Sequence, residues 1–89
     1  MTAPIVPTVH GNGTSREALM EQRGDALRAI RATLEALTQM APNARDYPDG
    51  GYSEAVTQHV ARVAAIKDVG LSIEAERQAI FDSRREARS

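Results

Sequence analysis

The chain has 89 residues, no cysteine, no tryptophan, two tyrosines, one phenylalanine and a formal net charge of −1. That length allows one domain near the lower limit of what a single core stabilises, and 42% hydrophobic with 26% charged residues places it among soluble globular chains. The missing cysteine excludes disulfides, thiol chemistry and thiolate-bound zinc, and a pI of about 6.1 argues against a coat for nucleic acid or an anionic membrane.

Residues 1–13 read as an extended arm. Pro4 and Pro7 block helix, and Gly11-Asn12-Gly13 is flexible. No basic segment leads into an apolar run of signal-peptide length, and the longest apolar stretch, Val63 to Ile66, is far too short to cross a bilayer. A soluble, cytoplasmic protein without a membrane partner is the expectation. Ten of the eleven basic residues are arginine. A GC-rich genome explains that skew, which also suits bidentate recognition of phosphate or carboxylate.

Thr14-Ser15-Arg16-Glu17 carries the signature of a capping box, with Thr14 as N-cap and Glu17 at the third helical position. From there the spacing predicts a helix over about 15–41. Met20, Leu27, Ile30, Leu34, Leu37 and Ala41 occupy one heptad stripe, with Arg23 as its polar member. Leu19, Ala26 and Met40 widen the stripe. Pro42-Asn43 ends it, and residues 42–52 form a loop rich in turn formers that holds both Tyr47 and Tyr52. Ser53 is expected to cap a second helix over about 53–86, whose apolar face runs Val56, His59, Val63, Ile66, Ile73 and Ile80. Gly70 and Arg77 share that face, and Gly70 suggests a kink within a single bent helix. The Arg84-Arg85-Glu86-Ala87-Arg88 end suits the negative pole of the helix dipole and is expected to fray.

The predicted fold is all-α, an antiparallel helical hairpin with an extended N-terminal arm. Two helices that pack only on each other leave a flank of each stripe in water, so a homo-oligomer built from hairpins is expected.

Catalysis is not expected. His10 and His59 are the only histidines, no metal-ligand spacing occurs, and neither a phosphate-binding loop nor a nucleophile elbow is present. No metal and no cofactor is therefore assigned. Two segments suit a small anion. In the first, His10, Asn12 and Thr14 run into a helix start beside Arg16, where free N–H groups and the dipole favour negative charge, although capping alone explains the pattern. In the second, Arg45, Asp46, Tyr47 and Tyr52 combine a guanidinium with two rings able to stack on a base, although the rings also suit a lid on the hairpin core. His59, on the apolar face of helix two, could point back to this loop. At about 1.5 Å per residue the two segments lie roughly 40 Å apart, so only an oligomer could join them in one site.

The pattern His10-x-Asn12-Gly13-Thr14-Ser15, a helix, Pro42-Asn43-x-Arg45-Asp46-Tyr47, and then His59 and Arg62 resembles a group of small uncharacterised tailed-bacteriophage proteins. The likeness covers about residues 9–66. The chain departs from that pattern at Ala44, usually glycine, and at Pro48, usually a second tyrosine. The resemblance implies phage origin, an accessory role and residence in the host cytoplasm. By analogy with other small helical phage proteins, it suggests a non-catalytic sponge that sequesters a nucleotide-derived signal of bacterial immune systems such as Thoeris or CBASS. In that role His10, Asn12, Thr14, Arg16, Arg45, Asp46, Tyr47, Tyr52 and His59 would line the ligand site. The alternative is a phage assembly or host-protein-binding module with no small-molecule ligand.

Overall fold

The computed structural model describes the backbone of residues 3–86 and the side chains of residues 3–83. After an extended arm, helix α1 runs over Arg16–Gln39, a short 3-10 turn over Ala44–Asp46 and helix α2 over Tyr52–Glu86. The described residues contain no strand, and α1 packs along α2 as an antiparallel hairpin. The expected fraying of the Arg84–Arg88 end falls mostly outside the described residues, with α2 traced to Glu86.

Helix boundaries follow from local hydrogen bonding. The N-cap of α1 is Ser15, whose hydroxyl accepts from the Ala18 N–H at 3.1 Å. Thr14 is therefore not the cap, and Glu17 falls one position too early to close a capping box. Two adjacent hydroxyl residues can each cap, and the chain uses the second. At the other end the Met40 N–H bonds the Leu37 carbonyl and the Ala41 N–H bonds that of Thr38, so the last turn tightens ahead of Pro42. The helix thus ends at Gln39 rather than at residue 41.

Ser53 is likewise not a cap. Gly50 and Gly51 adopt φ of 105° and 94°, a region open to glycine without strain, and this pair reverses the chain straight into α2. The Ala55 N–H bonds the Gly51 carbonyl, so the helix starts at Tyr52 and Tyr52 is helical rather than a loop residue.

Helix α2 continues unbroken through Gly70. This glycine is buried, and a Cβ placed on it would lie 3.5 Å from Ile30 Cγ2. Its place in the fold is thus at the helix–helix seam, where the heptad stripes of α1 and α2 meet.

The hairpin is thin. Its principal extents are 63 × 22 × 19 Å and its radius of gyration is 18.6 Å, against about 12 Å for a compact chain of this length. Only Leu19, Leu27 and Ile80 are buried hydrophobic side chains among the described residues. Leu19 and Ile80 lie towards the end where α1 begins and α2 finishes, and Leu27 lies at the middle of α1. Towards the loop, Ile30, Leu34 and Leu37 of α1 and Val56, Val63 and Ile66 of α2 are all only half-buried. Two stripes in contact along a single seam cannot enclose each other, and the spacing had implied this limit.

Candidate functional site

The two segments singled out in the sequence lie at opposite ends of the hairpin. Helix α1, 24 residues long, separates them by about 36 Å at 1.5 Å per residue.

At the arm end, the Gly13 N–H bonds the His10 carbonyl at 3.1 Å, closing a tight turn. The His10 ring folds over that turn, so that a Cβ on Gly13 would meet His10 Nε2 at 2.7 Å. A side chain on Gly13 would push the exposed His10 ring aside. Asn12 and Thr14 are exposed and make no side-chain hydrogen bond among the described residues. Arg16 turns towards α2. Its guanidinium carbon sits 5.1 Å from the Phe81 ring centre, one terminal nitrogen reaches the Phe81 carbonyl at 3.5 Å, and the side chain is 14% exposed. Glu17 lies at 3.8 Å, while the buried Arg16 Nε has no hydrogen-bond partner. The cation–π contact joins the first residue of α1 to the last turns of α2. Arg16 is thus engaged with the hairpin rather than directed at the glycine turn.

At the loop end, Asn43 Oδ1 accepts from the Arg45 N–H at 3.1 Å, and the Asp46 and Tyr47 N–H groups bond the Asn43 and Ala44 carbonyls. This builds the 3-10 turn, for which Asn43 ahead of a short polar run was the available signal. Tyr47 and Tyr52 have ring centres 6.1 Å apart, tilted by 50°. That is the spacing of a direct aromatic pair, so the rings pack on each other with no gap for a base between them. A stacked ligand would have to use an outer face. Arg45 and Asp46 are exposed, and no ion pair joins them among the described residues. His59 is half-buried with Nδ1 buried and unpartnered, and no hydrogen bond ties it to Tyr47 or Asp46 among the described residues. The structure therefore brings Tyr47 to Tyr52, leaves Arg45 free at the surface, and does not draw His10, Asn12, Thr14 or Arg16 towards them.

Arg23, the polar member of the α1 stripe, donates from Nε and a terminal nitrogen to Glu76 Oε1 at 3.0 and 2.7 Å. The spacing marked Arg23 as the polar member of its stripe but did not identify Glu76 as its partner. Arg77 extends over Gly24, where a Cβ would meet its terminal nitrogen at 3.6 Å. Phe81 was also missed, because no local pattern marks a partner 65 positions from Arg16.

Among the described residues no group of histidine, aspartate and glutamate side chains is placed to hold a metal ion, and no helix is long and apolar enough to cross a membrane. Fold and surface together define an antiparallel two-helix hairpin with a small core and exposed apolar flanks. Compared with protein-family models, curated proteins and solved structures, the chain matches none.

Proposed function

We propose that the chain is a non-catalytic interaction module that works as a homo-oligomer, its hairpins completing one another's cores. The observation that carries this reading is the number of apolar side chains left uncovered. Among the described residues three are buried, while Val60, Val69, Leu71 and Phe81 of α2 remain exposed. The surface area points the same way. The chain exposes 6721 Å², where a compact monomer of 9.6 kDa exposes about 5,100 Å². The chain has no cysteine for a disulfide and no metal-holding group among the described residues, and association is a recognised way to stabilise so small a core. Sedimentation equilibrium tests the reading, with an assembly mass of two or more protomers expected at micromolar concentration. A single-chain mass at about 100 µM would overturn it. The phage accessory setting rests on the resemblance of the His10–Ser15 and Pro42–Tyr47 segments alone.

A second reading keeps the sequestration of an anionic, nucleotide-like molecule. It is supported by Arg45, exposed and without an ion pair among the described residues, beside the aromatic pair at the hairpin tip. The guanidinium would hold phosphate and an outer tyrosine face would stack. Thermal shift with cyclic oligonucleotides and ADP-ribose isomers is the test. Stabilisation that Arg45→Ala removes, with the oligomer intact, supports this reading, and a panel-wide lack of shift in folded, oligomeric protein eliminates it.

A further inference from the structure

Val60, Lys67, Glu74 and Phe81 recur every seven residues along α2, which carries them on one flank beside the seam with α1. Two neighbouring grooves on the hairpin surface link Lys67, Glu74 and Phe81, and Val60 continues the same row by its spacing. Lys67, Leu71 and Glu74 line an apolar groove of about 240 Å³ against Leu27, Ile30 and Leu34. Glu74 and Phe81 line the neighbouring groove with Met20. Val60, Leu71 and Phe81 are 60%, 55% and 46% exposed, so the flank is apolar and open.

The order along this flank is apolar, cationic, anionic, apolar. The midpoint between Lys67 and Glu74 falls between Gly70 and Leu71, and the midpoint between Val60 and Phe81 falls at the same place. A two-fold contact requires such self-complementarity, because each patch must meet its own reverse. Neither Lys67 nor Glu74 is in an ion pair within the chain among the described residues. On the opposite flank Glu76 is already held by Arg23.

We propose that a second copy of the chain docks antiparallel on this flank, about a two-fold axis between Gly70 and Leu71. Lys67 then faces Glu74 of the partner subunit, Val60 faces Phe81 of the partner subunit, and the two Leu71 side chains meet at the centre. Arg31 of α1, which also lines the groove, is a second cation available to Glu74 of the partner subunit. The product is a four-helix bundle. A standard interface removes about 800 Å² from each partner, which the surplus of exposed surface readily supplies. This proposal rests on the homo-oligomeric reading above and names its face and symmetry.

The test is sedimentation equilibrium of the full chain with charge-reversed variants. Lys67→Glu and Glu74→Lys each set two like-charged pairs across the axis and should each weaken the dimer about tenfold. Mixed in equal amounts, they form a heterodimer in which both pairs are again opposite in charge, so the assembly should return to near wild-type strength. Leu71→Glu should yield single chains, while Val69→Glu, on the other flank, should leave the dimer unchanged. A mixture as weak as its components, or dissociation by Val69→Glu but not Leu71→Glu, overturns the docking face while leaving homo-oligomerisation standing. Wild type that sediments as a single chain overturns both.

Discussion

Replacing Gly70 by alanine should stabilise the protein. The residue lies inside an unbroken 35-residue helix, where glycine costs about 1 kcal/mol relative to alanine. The added methyl would meet Ile30 Cγ2 at 3.5 Å, an ordinary van der Waals separation, so it fits without displacing its neighbour. Burying it adds up to about 0.8 kcal/mol. Together these give a gain of about 1–2 kcal/mol, or about 4–8 °C in midpoint for each kcal/mol in a domain of this size. Thermal unfolding followed by far-ultraviolet circular dichroism reads the effect at one fixed chain concentration, because an associating protein melts higher when concentrated. A midpoint that falls would refute the reasoning, showing that Gly70 supports a kink or an approach closer than 3.5 Å. Gly70→Leu is the companion variant. It overfills the seam and should lose about 1–3 kcal/mol.

Three other substitutions probe the hairpin. Ile80, 0% exposed, is the deepest side chain, and Ile80→Ala should cost about 3 kcal/mol in urea unfolding, a large share of the stability of so small a core. Ser15→Ala should cost about 1 kcal/mol while Thr14→Ala leaves the midpoint within experimental scatter, because only Ser15 accepts from the helix. A double-mutant cycle on Arg23→Met and Glu76→Gln should return a favourable coupling of about 1 kcal/mol, as expected for a half-buried, doubly hydrogen-bonded pair.

The heptad spacing of Met20, Leu27, Ile30 and Leu34 against Val63, Ile66, Ile73 and Ile80 was enough to read two helices and their antiparallel pairing. Boundaries were harder. Thr14 and Ser15 are chemically equivalent caps, and only the backbone decides between them. Ser53 resembled a cap because the positive φ at Gly50 and Gly51, which starts α2 one residue earlier, is not encoded by hydroxyl chemistry. Gly70 marked a weak point on intrinsic propensity, and the helix runs on through it as one element, with Ile30 packed 3.5 Å from where a Cβ would stand. At the candidate site, the wide separation of the two polar segments was legible from helix length alone. The turning of Arg16 onto Phe81 was not, since it joins residues 65 positions apart through a ring that no local pattern marks. The packing of Tyr47 on Tyr52 depends on the glycine pair that swings Tyr52 back, and it closes the gap in which a base was expected to stack.

Association is the centre of the account, and the concentration dependence of the thermal midpoint tests it most directly. A tenfold rise in chain concentration stabilises a dimer by about 1.4 kcal/mol relative to unfolded chains. Divided by an unfolding entropy of about 2.1 cal/mol/K per residue over two chains, this is about 4 °C per tenfold. Between about 1 and 100 µM the midpoint should therefore climb by about 8 °C. A midpoint that stays fixed across that range would show that the hairpin stands alone and would contradict the account.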